Sequence, residues 1–238
     1  MLVDWIYSDG TMPNFRERLV CEWCKLNNRQ RFMMGLVQKF IESRKTRLDI
    51  YLYEQVTNFY DQLNNKNINV TGSEYLGPDK TAGLTIQGVR HEDALNLSFE
   101  DISFDMIISN DVYEHVPDVR KSLSEACRVL KNDGVLLMSI PFTYSAHTQQ
   151  RATYHEGKII NLLPEIYHGN PVSAKGSLVF YDYGWDFLTF CKECGFYDAY
   201  MLVYYSQTLG YLGNGFQSIF VADKSDSTNF FEKVSLIK

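Results

Sequence analysis

Short apolar runs alternate with amphipathic segments from residue 49 onward, and this alternation constrains the fold more than any other feature of the sequence. Between several of the runs, apolar residues recur at helical spacing, most clearly over 118–130. Strands that alternate with helices are typical of βαβ units. The sequence therefore predicts an α/β fold with a mainly parallel sheet and helices on both faces. The predicted strands are 49–53, 68–74, 86–89, 104–110, 134–142, 199–205 and 216–222.

The size of the chain fits one large domain, because 238 residues can bury a core without disulfides or metals. Residues 1–48 are more polar and partly helical, so we predict an N-terminal extension that precedes a domain at 49–238.

The formal charge of −6 argues against nucleic acid as the main partner. No apolar run approaches the roughly 18 residues that a membrane span needs. The first residues lack the basic segment of a signal peptide, so a cytoplasmic location is expected. The sequence does not indicate an oligomeric state.

Five cysteines without a secretory signal indicate reduced thiols. Two CxxC pairs occur, Cys21/Cys24 and Cys191/Cys194, and their separation is far from zinc-ribbon spacing. The second pair follows a helical apolar pattern that ends at Gly195, so we interpret it as core packing. Packing is also favoured for the first pair, for which zinc or redox chemistry remains the alternative. No metal site is expected.

Residues 143–183 interrupt the alternation, with little clear helix or strand and many polar and aromatic side chains. Segments this long inside a compact domain are usually functional lids or binding loops. We therefore predict an insertion that covers the substrate. The alternative is a surface loop whose aromatic side chains pack in the ordinary way.

Polar residues follow four of the predicted strands. In open α/β sheets, ligands bind beyond the carboxyl ends of the strands. Glu54 follows the first strand, and Glu74 follows the second, twenty positions later. Asp93 follows the third strand, and Asn110 and Asp111 follow the fourth. Carboxylates at successive strand ends suit the two hydroxyls of a ribose, so a nucleoside-containing cofactor is expected.

The first strand-end turn has no glycine between residues 54 and 67, and the chain has no Walker pattern. A pyrophosphate needs glycines for close backbone approach, so a dinucleotide is disfavoured. S-adenosylmethionine has no phosphate. Among adenosine cofactors, it is therefore the one whose binding suffers least from a turn without glycine.

A family resemblance lies in residues 97–142. The strand FDMIISND, the triplet EHV at 114–116, the helix ending RVLKNDG and the following strand resemble the second half of a class I S-adenosylmethionine-dependent methyltransferase of type 11. The resemblance extends over 49–142. It implies a Rossmann-like, seven-stranded, mostly parallel sheet with a final antiparallel strand.

The resemblance also assigns cofactor-binding residues. It implies that Glu74 holds the ribose hydroxyls, that Asp93 and Ala94 meet the adenine, and that Asn110 and Asp111 approach the methionine portion. Glu54 stands where the family's first motif opens, and the glycines of that motif are replaced in this chain.

The predicted reaction is methyl transfer to a small-molecule or glycan acceptor, on a hydroxyl group. A hydroxyl acceptor benefits from a general base, and histidine suits neutral pH. His168 is the preferred base; His115 is a second catalytic candidate with an equally good structural role. The alternatives are a non-catalytic methyltransferase-like scaffold and, third, a nicotinamide oxidoreductase. The predicted substrate contacts are Tyr144, His147, Arg151 and Tyr167.

Overall fold

The structure is a computed structural model that describes residues 1–8, 10–44, 46–64, 68–213, 215–226 and 230. The helices are α1 (Phe15–Arg18), α2 (Asn28–Ser43), α3 (Asn58–Asn64), α4 (Val119–Val129) and α5 (Phe187–Glu193), with a 3-10 turn at Tyr113–His115. The strands are β1 (Asp49–Leu52), β2 (Asn69–Gly72), β3 (Thr85–Ile86), β4 (Val89–Arg90), β5 (Phe104–Asn110), β6 (Leu130–Ser139), β7 (Gln149–Gln150), β8 (Ala152–His155), β9 (Lys158–Asn161), β10 (Tyr167–Asn170), β11 (Ser173–Leu178), β12 (Tyr181–Asp182), β13 (Asp198–Tyr204) and β14 (Gln217–Asp223).

A six-stranded sheet in the order β13-β14-β6-β5-β1-β2 forms the centre of the molecule. The pairs β2–β1, β1–β5 and β5–β6 are parallel. The last strand, β14, runs antiparallel to both β6 and β13. The prediction of a mainly parallel sheet with a final antiparallel strand is therefore confirmed.

The sheet has six strands among the described residues, where the resemblance implied seven. The segment expected as the third strand instead forms the hairpin β3–β4, in which Ile86 pairs with Val89. Gln87 and Gly88 between them have positive φ angles of 51° and 84°, which is the signature of a tight type I′ hairpin turn. The chain therefore reverses at this turn, and only an isolated parallel bridge from His91 to Glu74 follows the sheet edge.

Helices cover both faces of the sheet. Alternate residues of a strand face opposite sides, and Tyr51 and Ile107 belong to a different core cluster from their strand neighbours. One cluster receives α4 and α5, whereas the other receives α2 and α3. Since α2 packs fully buried side chains there, including Val37 and Phe40, residues 1–48 share a core with the sheet. The domain boundary after residue 48 stays a prediction.

The insertion at 143–183 is built of short strands, contrary to the expectation of little regular structure. β8 pairs with β9, β10 pairs with β11, and β7 pairs with β12, all antiparallel. These strands are mostly polar or exposed on both faces, and β9 is exposed along its whole length. They consequently lack the apolar alternation by which sheet strands are recognised.

The two CxxC pairs differ in environment. Cys191 lies fully buried in α5 within the core, and Gly195 follows that helix with φ 105°, so the packing interpretation is confirmed for this pair. Cys21 and Cys24 are partly exposed free thiols. No helix in the described part of the chain combines the length and apolar character of a membrane span.

Candidate functional site

Three adjacent parallel strands, β2, β1 and β5, end at one edge of the sheet. Glu54 follows β1, Glu74 follows β2, and Asn110 and Asp111 end β5 and begin the next turn. The register keeps these ends level, since Leu52 pairs with Gly72 on one side and Ile108 on the other. The structure therefore brings together the strand-end residues that the sequence singled out.

Glu54 and Asn110 form a hydrogen-bonded pair at the middle of this edge. The Asn110 Nδ2 atom donates to Glu54 Oε1 at 2.7 Å. Burial raises the pKa of Glu54 to about 7, against the opposing effects of Asn110 and the Arg29 charge. The Asn110 Oδ1 atom is buried and has no hydrogen-bond partner among the described residues. The edge thus presents an unsatisfied acceptor beside a carboxyl group that titrates near neutral pH.

Glu74 fixes the glycine-free turn after β1. Its Oε1 atom accepts hydrogen bonds from the backbone amides of Gln55 and Val56, at 2.8 and 3.0 Å. The side chain of Gln55 contacts the β3–β4 hairpin, where it accepts from the Arg90 amide and donates to the Gly88 carbonyl. Burial raises the pKa of Glu74, and the two amides oppose that effect. The side chain that follows Glu54 in this turn is thus held against the hairpin.

Asp93 and Ala94 lie next to Glu74 along the same edge. The Glu74 amide donates to the Arg90 carbonyl, and the Glu92 amide donates to the Glu74 carbonyl. Asp93 itself accepts from the Leu95 amide at 2.9 Å and so caps its own turn. Ala94 packs against the core cluster.

Asp111 is held by two arginines that the sequence did not single out as functional. Arg16 of α1 donates to both carboxylate oxygens, at 2.6 and 2.8 Å, and Arg29 of α2 lies 3.0 Å from one of them. Ser139 at the end of β6 donates to Asp111 at 2.9 Å. Although burial opposes ionisation, the two guanidinium groups keep the pKa of Asp111 below its ordinary value. Asp111 also has a positive φ of 52°.

The position of Arg29 follows from the start of α2. Asn27 caps this helix by accepting from the Gln30 amide, and the Gln30 side chain accepts from the Asn27 amide in return. This capping box fixes the first turn, so the Arg29 guanidinium reaches Ser139 and Asp111. A capping box is readable from sequence, but the partner of the arginine is not, because Asp111 is distant in the chain.

A second group of polar side chains lies just beyond Asp111. The 3-10 turn carries Glu114 and His115, and the insertion brings His168 of β10 against them. The Glu114 Oε1 atom lies 3.6 Å from His168 Nδ1 and 3.7 Å from His115 Nε2. Glu114 is completely buried, and its carboxylate raises the pKa of His168. The two predicted catalytic histidines therefore meet, around a glutamate to which the sequence reading gave no role.

The predicted substrate contacts do not converge in the same way. Arg151 is paired with Asp182 at 2.6 Å inside the insertion, so its charge is already matched. The Tyr144 hydroxyl donates to the Phe216 carbonyl, and His147 is almost fully exposed beside Asp186. Tyr167 adjoins His168 on β10 and is partly exposed. Their roles toward a substrate stay predictions.

Comparison with known proteins gives one family match. Residues 53–138, which begin directly after β1 and include β2, β5, the Glu114–His115 turn and most of β6, match the model of a methyltransferase domain. Curated relatives match over a shorter stretch: demethylmenaquinone methyltransferases of Staphylococcus epidermidis and Staphylococcus aureus are 38% and 36% identical over 74 residues. That stretch is 29% of this chain, and the chain spans 31% of the length of these relatives.

Solved structures with a similar arrangement are distant in sequence. An S-adenosylmethionine-dependent methyltransferase from Mesorhizobium loti is 15% identical, with a TM-score of 0.47, and the match covers 79% of this chain and 97% of that protein. A 1,6-didemethyltoxoflavin-N1-methyltransferase from Burkholderia thailandensis, with S-adenosylhomocysteine bound, is 11% identical, with a TM-score of 0.44 and coverage of 81% and 79%.

The domain match falls on the strands and turns that form the polar edge, and the sheet has the parallel order and final antiparallel strand that the resemblance implied. The segment 53–138 is therefore similar to a methyltransferase domain, and this match indicates class I methyltransferase chemistry with S-adenosylmethionine as the cofactor.

Proposed function

We propose that this chain transfers the methyl group of S-adenosylmethionine to a hydroxyl group of a small molecule or glycan. The observation that carries the proposal is the convergence of Glu54, Glu74 and Asn110 on one sheet edge, with His115 and His168 just beyond it. The strand-end residues have the charge and hydrogen-bonding capacity to bind a cationic nucleoside. The two histidines can accept a proton from a hydroxyl acceptor.

The residues at the edge fit the cofactor. The buried Asn110 Oδ1 atom, which has no partner in the described structure, can accept from the ammonium group of the methionine portion. Asp111, the next residue in the chain, would approach the methionine portion as well. Glu74 at the end of β2 would hold the ribose hydroxyls, and Asp93 with Ala94 would meet the adenine. A buried polar atom without a partner costs free energy, so a ligand that satisfies Asn110 is favoured.

When bound, S-adenosylmethionine supplies an electrophilic methyl group on a sulfonium centre and leaves as the neutral thioether. The chain's own contribution is to position the acceptor in line with that methyl group and to exclude water. His115 and His168 are the proposed catalytic residues, since they lie where an acceptor hydroxyl would lose its proton. The insertion, with Tyr144, His147, Arg151 and Tyr167, would shape the acceptor cavity.

A small acceptor is supported by two features. The curated relatives, demethylmenaquinone methyltransferases, are named for a small-molecule acceptor. The net charge of −6 continues to argue against a nucleic-acid partner. A cytoplasmic location belongs to the same proposal.

The test combines cofactor binding with product detection. Calorimetric titration with S-adenosylmethionine should give one saturable site. Incubation with isotopically labelled S-adenosylmethionine and a small-molecule extract should then yield labelled methyl ethers by mass spectrometry. Heat-denatured protein is the control. Absence of binding at millimolar cofactor would contradict the proposal and favour a non-catalytic scaffold.

A further inference from the structure

Glu114, His115 and His168 form a compact group of potential metal ligands. One ligand atom from each side chain lies within 4.8 Å of the others. The shared Glu114 Oε1 atom is 3.6 Å from His168 Nδ1 and 3.7 Å from His115 Nε2. Two ligand atoms of one tetrahedral zinc ion are about 3.3–3.6 Å apart, because each bond is roughly 2.0–2.2 Å long. The two separations from Glu114 already match this distance closely, so one coordination sphere requires chiefly that the two histidine nitrogens lie equally close.

Within the described part of the chain, the buried Glu114 carboxylate has only His115 and His168 as near partners, at 3.7 and 3.6 Å. Its side chain is 0% exposed, and neither oxygen has a hydrogen bond among the described residues. Arg16 lies near enough for its charge to interact with Glu114, yet its guanidinium donates to Glu17 and Asp111. A buried carboxylate without a hydrogen bond is costly, and a cation between the oxygen and the two imidazoles would remove that cost.

His115 is oriented as metal-binding histidines are. Its Nδ1 atom lies 2.8 Å from the Leu178 carbonyl, which can only accept, so Nδ1 carries the hydrogen. The other ring nitrogen, Nε2, lies 3.7 Å from Glu114 Oε1 and can coordinate a metal when the imidazole is neutral. A backbone carbonyl that fixes the tautomer in this way is a common outer partner of a metal-bound imidazole. Leu178 belongs to β11, so the insertion supplies both this carbonyl and His168.

We propose that Glu114, His115 and His168 bind one divalent transition-metal ion of the zinc type. Two imidazoles and one carboxylate suit zinc better than magnesium or calcium, which prefer oxygen ligands. Three protein ligands leave a fourth position for water or substrate. The His168 side chain is 39% exposed, so the group borders on solvent at this ligand.

The site deepens the proposed function and rests on it for its chemical role. The cation would bind the acceptor oxygen at the open position and lower the pKa of its hydroxyl group. The proton then leaves to solvent, the oxygen–methyl bond forms, and the carbon–sulfur bond breaks with its electron pair on sulfur. His115 and His168 would thus act on the acceptor through the ion.

The experiment measures metal binding directly, without enzyme activity. Zn²⁺ is titrated against a chromophoric chelator, and Co²⁺ is used as a spectroscopic probe. The full chain carries Cys21→Ser and Cys24→Ser in every sample, so that these thiols do not contribute. We expect one equivalent of Zn²⁺ to bind, and a Co²⁺ spectrum of low coordination number without thiolate charge transfer.

Ligand variants and a matched control make the assignment specific. His168→Ala and Glu114→Gln should each weaken Zn²⁺ binding by about 100-fold or more, since each removes one of three ligands. His155→Ala removes an exposed histidine of the same insertion and should leave binding unchanged. Absence of stoichiometric binding in the parent protein, or equal affinity in His168→Ala, would overturn the metal site and leave a simple histidine–glutamate ion pair.

The readout also separates this proposal from the proposed function. Titration of the same proteins with S-adenosylhomocysteine reports on the cofactor edge, which contains none of the three ligands. Cofactor binding without zinc binding would refute the metal site alone. Zinc binding without cofactor binding would refute the methyltransferase proposal and retain the site, without its assigned chemical role.

Discussion

At the scale of single residues, the polar edge is defined by carboxyl groups whose environments differ. Asp111 faces two arginines, so its pKa lies below the ordinary value. Glu54 faces an amide and has its pKa raised to about 7 by burial. Glu74 combines burial with two backbone hydrogen bonds. The edge therefore carries an ionised carboxylate at Asp111, matched by two arginines, and a titratable group at Glu54.

Glu74 should control cofactor affinity. Each hydrogen bond to a charged acceptor contributes roughly 1.5–3 kcal/mol, so Glu74→Ala should weaken S-adenosylmethionine by about 10- to 100-fold. Glu74→Gln keeps the size of the side chain and one acceptor, so its affinity for S-adenosylmethionine should lie between those of the wild type and Glu74→Ala. Calorimetric titration measures all three proteins, with Asp79→Asn as an exposed control nearby. Equal affinities at matched melting temperatures would remove Glu74 from the ribose site.

Glu54 should make stability depend on pH in the cofactor-free protein. Its pKa is about 7 in the folded chain, against an ordinary value of 4.5 for a glutamate. Between these values the unfolded state binds fewer protons, so stability falls as pH rises. The groups that act on it are Asn110, Arg29, Glu74 and Asp111.

Glu54→Gln should remove this decline and stabilise the protein above pH 7 by about 1–3 kcal/mol, since a full pKa unit corresponds to about 1.4 kcal/mol. Urea unfolding at several pH values measures the effect. Glu156→Gln, at an exposed carboxyl, provides the control. Parallel pH profiles for wild type and Glu54→Gln would contradict the assignment.

Much of this residue set could be predicted from sequence, because strand-end carboxylates follow recognisable apolar runs. Glu54, Glu74, Asn110 and Asp111 were found in this way. Arg16 and Arg29 were not, since a surface-like arginine gives no sign of a partner that is distant in the chain. Glu114 belongs to the EHV triplet, but the sequence indicates no role for it, because its burial is a property of the folded structure.

At the scale of elements, α1 and the start of α2 close the edge of the sheet. Arg16 and Arg29 bring two positive charges to Asp111, and Glu17 pairs with both arginines. The N-terminal segment is therefore tied to the functional edge by buried charge as well as by the apolar face of α2. The sequence suggested only a polar extension there.

Removing Arg29 should destabilise the fold more than removing a surface arginine. Arg29→Met leaves Asp111 and Glu17 with one guanidinium in a largely buried network, which should cost about 1–3 kcal/mol. Arg18→Met affects an exposed pair with Asp4 and should have a much smaller effect. Urea denaturation compares the variants. If Arg29→Met is as stable as Arg18→Met, the network does not anchor the N-terminal segment.

The insertion shows why its structure was missed. Its strands are short and polar, and they pair with one another and not with the central sheet. The prediction of a third strand at 86–89 was wrong for a different reason. Two consecutive residues with positive φ, Gln87 and Gly88, reverse the chain within this segment. A Gln-Gly pair is a weaker turn signal than Asn-Gly, so apolar content alone suggested a continuous strand.

At the scale of the whole molecule, the sheet order explains how residues far apart in sequence form one site. The parallel strands β2, β1 and β5 have their carboxyl ends side by side. The insertion places His168 against Glu114 in the turn after β5. The cofactor edge and the Glu114–His168 group are consequently neighbours. A methyl donor at the first and an acceptor at the second would meet between them.

A crystal structure of the complex with S-adenosylhomocysteine tests this arrangement most directly. The account predicts that the ribose hydroxyls lie within hydrogen-bond distance of Glu74, that the ammonium group donates to Asn110 Oδ1, and that the sulfur points toward Glu114, His115 and His168. A ligand bound elsewhere, or oriented with its sulfur away from these three residues, would contradict the account.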